Sequence, residues 1–475
     1  MQDKRTFYIN GAFVPPAKPA DLEVVNPATE QPCAVISNGS QADTDAAVAA
    51  ARAAFPAWRA TPLEDRLAML DRIVENYSAR ADEMATAMRL EMGAPVDYAL
   101  SAQWDAGDGG MREAIRAARA FKFERKTSND DVFYEPIGVA ALITPWNWPM
   151  SQIVLKVIPA LAAGCTVILK PSEVAPLSGH LFAEMIHDAG VPAGVFNLVN
   201  GDGPGVGAQL SAHPGVDMVS FTGSTRAGAL ISKAAADSFK RVSLELGGKG
   251  ANVIFEDADA NAVKRGVREC FGNVGQSCNA PTRMLVQRSI YDAAVEKAAE
   301  VAEATRVDRS DKPGRHLGPL VSQAQWDKVQ GLIQAGIDEG ARLVAGGTGR
   351  PEGLNNGYYG RPTVFADVSN DMTIAQTEIF GPVLSMIPFE DEAEAIEIAN
   401  DTPYGLTNYV QTQDSARARR MAHALNSGMV EVNGAGLGYD TPFGGVKHSG
   451  NAREGSVWGM EEYLIIKAVA GYPDD

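Results

Sequence analysis

A chain of 475 residues, 45% hydrophobic and 21% charged, has ordinary globular composition and enough length for two or three domains. Its formal charge is −17, from 42 Lys and Arg against 59 Asp and Glu. Such an acidic surface repels phosphate backbones and anionic lipid, which sets nucleic acid and membrane partners aside but not small anions held by local dipoles.

Four scattered cysteines, Cys33, Cys165, Cys270 and Cys278, do not suggest a disulfide framework, and the lack of a CxxC pair argues against structural zinc. No metal site is expected. The polar start Met1-Gln2-Asp3-Lys4-Arg5 lacks an apolar signal core, and no apolar run approaches the roughly 20 residues of a membrane helix. A reducing cytoplasm is the expected location.

In chain order, a strand-rich lead gives way to helices. Asp43 or Thr44 can cap a helix with Val48, Ala51 and Phe55 on one face, and Leu67, Leu70, Ile73 and Val74 mark another. Segment 122–135 is polar and strand-like. From about residue 137 a βαβ rhythm sets in, with apolar strands expected at 139–144, 166–170, 195–199, 216–222 and 242–246. Continuous Val/Ile/Leu strands alternating with helices predict a parallel sheet covered on both faces. After Gly247-Gly248 a second α/β series begins at 252–255 and runs to about residue 448, and segment 463–470 is an apolar, β-prone tail. Segments 122–135 and 463–470 fit neither unit, which points to strands that pair with a partner chain or to an ordinary edge hairpin.

Several short stretches carry chemistry. In Phe271-Gly272-Asn273-Val274-Gly275-Gln276-Ser277-Cys278-Asn279 the glycines let the backbone turn sharply and present both a thiol and its N–H. Taken alone, a single cysteine is more often a small buried hydrophobe. In Leu244-Glu245-Leu246-Gly247-Gly248-Lys249 a carboxylate ends an apolar strand, where burial raises its pKa toward that of a general base. Pro145-Trp146-Asn147-Trp148-Pro149 is a stiff loop that can fix the Asn147 amide as an oxyanion donor, although Asn is also a common turn former. Phe221-Thr222-Gly223-Ser224-Thr225-Arg226-Ala227-Gly228 lies between strand and helix, where small residues admit a pyrophosphate to a helix start. Gly203-Pro204-Gly205-Val206-Gly207-Ala208 is a weaker signal of the same kind. Lys170-Pro171-Ser172-Glu173 ends another strand, where a cation and an acid can hold ribose hydroxyls.

Together these stretches resemble the aldehyde dehydrogenase superfamily over nearly the whole chain, from Asn26-Pro27-Ala28-Thr29 to Phe443-Gly444-Gly445-Val446-Lys447-His448-Ser449-Gly450, with Glu378-Ile379-Phe380-Gly381-Pro382 between. The spacing 278 − 245 = 33 between thiol and acid is also the family's. The resemblance implies an α/β fold with three parts. A Rossmann-like dinucleotide-binding domain would span 1–120 and 137–247, a catalytic domain 248–448, and a bridging β-strand oligomerisation arm 121–136 and 449–475. It implies Cys278 as nucleophile, Glu245 as base, and Asn147 with the Cys278 N–H as oxyanion hole. NAD, with NADP as the other possibility, would meet Lys170 and Glu173 at the adenosine ribose, Gly223, Ser224 and Gly228 at the pyrophosphate, and Glu378 and Phe380 at the nicotinamide riboside. Thr144, Trp146, Ser172, Gly203, Phe221 and Leu246 would also line the cofactor. Glu173 would repel a 2′-phosphate and so favour NAD. The pocket for a small-molecule aldehyde would be walled by Trp148, Gln152, Ser277, Asn279, Leu437 and Phe443. Asn279 after the nucleophile, and Leu437 where many relatives carry an aromatic, imply a more polar or roomier pocket than one for fatty aldehydes. A homodimer or homotetramer is implied. The rival readings are a CoA-acylating relative, which characteristically lacks the base found here as Glu245, and a cofactor-free thiol hydrolase pairing Cys278 with a histidine such as His448.

Overall fold

The structure, a computed structural model, describes residues 1–471. Helix Gln41–Ala60 begins not at Asp43 or Thr44 but at Ser40, because Asp43 stands one turn in and its Oδ2 accepts from the Ser40 N–H at 2.8 Å. Val48 and Ala51 are buried as expected. Trp58 takes the last position of that face, and Phe55 stays half-buried. Helix Leu63–Ala79 buries Leu67, Leu70, Ile73 and Val74.

The first large sheet holds five parallel strands in the order Arg241–Glu245, Met218–Thr222, Val139–Ile143, Thr166–Lys170 and Phe196–Leu198. The antiparallel hairpin of Phe7–Ile9 and Ala12–Val14 extends it beyond the last. Every residue of the three middle strands is buried, which explains their unbroken apolar character. The chain starts at Val139–Ile143, moves outward through two strands, then returns to the other flank for Met218–Thr222. That reversal opens a crevice beyond the carboxyl ends of these two neighbours, where sheets of this design hold dinucleotides.

The second large sheet runs Arg342–Ala345, Thr363–Ala366, Val383–Phe389, Arg283–Gln287, Ala251–Ile254, Thr407–Gln411 and Met429–Val432, parallel except for the antiparallel first edge. The two segments that fitted neither unit meet each other. Asp130–Pro136 pairs with Leu464–Ala470 along seven residues, and Glu124–Lys126 completes an antiparallel three-stranded sheet. Residues 472–475 of the expected arm lie outside the described residues. The small sheet of Gln2–Asp3, Gln31–Ser37 and Asp21–Asn26 packs before the first helix. Among the described residues no helix is long and apolar enough to cross a membrane.

Candidate active site

The site grows from the crevice. Beyond Ile143 the chain enters Thr144-Pro145-Trp146-Asn147, and Asn147 is buried. Its Nδ2 donates to the Gln276 carbonyl at 3.0 Å, which ties the amide to the loop carrying Cys278. The amide nitrogen has a second N–H for another acceptor. The Asn147 carbonyl accepts from Asn273 Nδ2 at 2.9 Å and from Gln103 Nε2 at 3.1 Å. Trp148 Nε1 donates to Ser277 Oγ at 2.9 Å. Gln103 belongs to the π-helical turn Ala99–Trp104, a geometry that concentrates at functional sites.

After helix Ala262–Phe271 the backbone bends twice into the left-handed region, at Asn273 (φ 49°) and Val274 (φ 61°). A β-branched residue there is strained and needs its surroundings to hold it. Gly275, also left-handed, runs so close to the Gly381 carbonyl that no Cβ fits. Gln276 is buried, and its Oε1 accepts from Val321 N at 3.0 Å. This braced turn leaves Cys278 half-buried, whereas Cys165 and Cys270 are buried. Burial, then the negative charges of Glu245 and Glu378, push the Cys278 thiol well above its ordinary range, while the N–H groups of Asn279 and Cys278 pull it down.

Glu245 closes strand Arg241–Glu245, buried at 2% exposure, and neither carboxylate oxygen has a hydrogen-bond partner. Burial and the charge of Glu454 raise its pKa well above the ordinary carboxylate range, against the pull of Lys156 and Arg453. Lys156 and Glu454 form a buried ion pair across 298 residues of sequence, and Lys156 Nζ also donates to Ser220 Oγ at 3.2 Å. A buried carboxyl with no committed hydrogen bond can take a proton from water.

On the crevice side, Lys170 Nζ is buried and donates to Gly201 O at 2.7 Å, Pro171 O at 2.9 Å and Glu173 Oε2 at 3.3 Å. Ser172 Oγ accepts from Val174 N at 3.2 Å. Gly203 opens the turn Gly203–Gly207 with free space where a side chain would stand. Phe221 packs beneath Gly223, and Ser224 caps helix Thr225–Ala235 by accepting from Ala227 N at 3.3 Å. Gly228 stands one turn inside that helix, buried, and a Cβ there would lie 2.9 Å from Leu246. Its smallness lets helix and strand end close up. Glu378 Oε1 accepts from Gly248 N at 2.9 Å. Phe380, itself left-handed (φ 60°), meets the Trp146 ring edge-on at 5.4 Å, and its carbonyl accepts from Gln325 Nε2 at 2.7 Å.

Of the expected pocket wall, Trp148 and Ser277 are bonded to each other. Gln152 is buried with Oε1 unpartnered, and the Asn279 carbonyl accepts from Tyr409 OH at 2.5 Å. Phe443 pairs its backbone with Glu454 (2.8 and 2.7 Å), and Leu437 is 42% exposed. Among the described residues no histidine is bonded to Cys278, as the rival Cys–His reading would need. His180 bonds Asn200, His187 bonds Tyr8, His213 bonds Asp45, His316 bonds the Leu317 and Lys312 carbonyls, and His423 and His448 are exposed.

A family model described as "Aldehyde dehydrogenase family" matches residues 13–469. The chain belongs to the aldehyde dehydrogenase family. It is an oxidoreductase acting on aldehydes. It is 52% identical to a Pseudomonas protein named 3-succinoylsemialdehyde-pyridine dehydrogenase, over 99% of each chain. It superposes on the crystal structure of an aldehyde dehydrogenase from Bartonella henselae with a TM-score of 0.99 at 56% identity, covering 99% of this chain and 100% of that one. A cysteine-to-alanine mutant of aldehyde dehydrogenase C from Pseudomonas syringae, solved with NAD+ and octanal, matches with a TM-score of 0.98 at 50% identity, over 99% and 98% of the two chains.

In this dehydrogenase, sequence reading missed Lys156, Glu454, Gln103 and Asn273. Lys156 carried a signal, since it is the one cation in the apolar helix Pro149–Ala163, and a cation on such a helix needs a buried partner. Its partner could not be named, because Glu454 is distant in sequence. We expect Glu454→Gln to act on Glu245. Removing the negative neighbour lowers the Glu245 pKa, so the basic form appears at lower pH and the rising limb of kcat shifts to lower pH. The unpaired Lys156 should also cost about 3–5 kcal/mol of stability. A pH–rate profile with a denaturation curve checks both, and an unmoved limb would separate Glu454 from the base.

Proposed function

We propose that Cys278, Glu245 and Asn147 oxidise an aldehyde to a carboxylic acid in an NAD-dependent reaction through a thioester on Cys278. The observation that carries this reading is the anchoring of the Asn147 amide on the Gln276 carbonyl, two residues before a half-buried thiol whose pKa responds to Glu245. The Cys278 thiolate adds to the aldehyde carbon, and the new oxyanion is met by the second Asn147 N–H and the Cys278 backbone N–H. One such donor is worth about 2.7–4 kcal/mol of barrier. Collapse of the thiohemiacetal releases a hydride and leaves the thioester. Glu245 then takes a proton from water, which attacks the acyl carbon and frees the Cys278 sulfur.

The crevice fits a dinucleotide. The Thr144 and Thr222 hydroxyls at the two strand ends are buried with no hydrogen-bond partner, as groups waiting for a ligand would be. Lys170, Ser172 and Glu173 would hold its adenosine ribose, and Gly203, Phe221, Gly223, Ser224 and Gly228 its pyrophosphate. Thr144, Trp146, Leu246, Glu378 and Phe380 would hold its nicotinamide riboside. NAD supplies the hydride acceptor. The Pseudomonas syringae relative with NAD+ supports this choice, as does betaine aldehyde dehydrogenase from Staphylococcus aureus, 33% identical and solved with NAD+. Glu173 keeps part of its side chain exposed beside Lys170, so kcat/KM should favour NAD over NADP, and Glu173→Gln should narrow the gap by about fivefold, the scale of one exposed charge. Equal preference in the parent would remove this role.

The substrate is an aldehyde with an extended tail, in keeping with relatives named for a succinoyl-pyridine semialdehyde or solved with octanal. Trp148, Gln152, Ser277, Asn279 and Phe443 wall its pocket, with Leu437 at the rim. The enzyme works in the cytoplasm as a homodimer or homotetramer. Strand Leu464–Ala470 leaves a free sheet edge with Ile466 68% exposed, and Phe239 is 95% exposed, both suited to burial against a second copy. The test is direct: protein, NAD+ and a panel of aldehydes should yield NADH without CoA, and no NADH from any aldehyde would sink the reading.

A further inference from the structure

Next to the pocket wall a cleft of about 690 Å³ opens between the turn bearing Tyr98 and Ala102, the end of helix Ala262–Phe271, the end of helix Tyr291–Glu303 and the loop that follows. That volume is within the range of ligand sites. Its inner wall is Tyr98, Ala102, Phe271 and Gly272. Its outer wall carries the cations Lys264, Arg268, Lys297, Arg306 and Arg315 against two acids, Asp97 and Glu300.

Much of that charge is already committed. Lys297 pairs with Glu300 at 2.5 Å, Arg306 pairs with Asp308, and Asp97 Oδ2 accepts from Gly314 N at 2.7 Å. Lys264, Arg268 and Arg315 have no ion-pair or hydrogen-bond partner among the described residues. Lys264 and Arg268 stand one turn apart on one helix face. Three uncommitted cations around one cleft contrast with a chain of net charge −17. A cluster of this kind raises the local concentration of anions.

The cleft adjoins the residues of the site. The Tyr98 ring lies against Trp148 with centroids 6.0 Å apart, Trp148 is bonded to Ser277, and Ser277 precedes Cys278. Gly272 on the inner wall begins the turn that ends at the nucleophile. A substrate held by its aldehyde carbon at Cys278, with a tail that passes Trp148 and Tyr98, would reach these cations.

We propose that this cleft receives a carboxylate at the far end of the aldehyde, recognised by Arg268 and Lys264, so that the preferred substrates are aldehydes with a carboxylate-ended tail. The proposal deepens the functional reading above and rests on it. The test measures kcat/KM with NAD+ for a chain-length series of straight aldehydes, each as a methyl-ended and a carboxylate-ended form, for the parent, Arg268→Glu and Lys264→Glu, at low and high salt. The carboxylate-ended member should be favoured about fivefold or more at the best length in the parent, the scale of exposed charge pairs. That preference should shrink with salt and invert in Arg268→Glu, with Lys264→Glu moving it the same way. Arg268 is exposed and Lys264 half-buried at the cleft wall, so folded variants are expected. A parent ratio near unity at every length, or a ratio that neither charge reversal moves, overturns the proposal while methyl-ended turnover leaves the dehydrogenase reading standing. No NADH from either form would overturn both.

Discussion

Cys278→Ala is expected to lower aldehyde-dependent NADH formation by about 10⁶-fold, the scale on which loss of a covalent nucleophile acts. No other thiol stands in the site: Cys165 and Cys270 are buried, and Cys33 Sγ donates to the Val24 and Leu90 carbonyls beside the small sheet. Thermal unfolding should stay close to that of the parent, because the bonds that brace the turn run through Gln276, Asn273 and Ser277 rather than through the sulfur. Steady-state turnover and a melting curve decide the matter. Turnover comparable to the parent would remove Cys278 as nucleophile.

Glu245→Gln is the second large effect. Its charge is among the groups that push the Cys278 thiol up, so its removal eases thiol ionisation and a burst of NADH equal to the active sites should remain. Deacylation loses its base, and the steady rate should fall by about 10²–10⁴-fold. In the parent the base works only when deprotonated, so kcat should rise with pH above the ordinary carboxylate range. That limb should vanish in the variant. Stability follows the same group. Burial makes the folded chain hold the Glu245 proton more tightly than the unfolded chain does, so folding stability falls as pH rises from the unfolded carboxylate range through the raised folded value. The glutamine variant lacks that fall and should be more stable than the parent at neutral and alkaline pH. Rapid-mixing kinetics and denaturation at several pH values test both halves, and a lost burst with an unchanged pH profile would assign Glu245 elsewhere.

Much of the first sheet was legible because its strands are buried on both faces, where a short apolar run has few other fates. The strand expected at 139–144 forms as Val139–Ile143, and that at 242–246 as Arg241–Glu245. The helix start near residue 43 was displaced because capping is settled by which oxygen reaches which N–H, and Asp43 reaches back to Ser40. Only packing reveals that Leu246 lies where a side chain at Gly228 would stand.

Backbone-local signals in the sequence determined the strand ends that present Glu245 and Asn147, the glycine-flanked turn before Cys278, and the acidic surface. Each depends on residues a few positions apart. Tertiary structure alone decided the Lys156–Glu454 pair that sets the charge beside Glu245, the anchoring of Asn147 by Gln103 and Asn273, and the convergence of cations from two helices and a loop on one cleft. The physical reason is that burial and charge depend on distance through space, and the energies they set cannot be summed from neighbours along the chain.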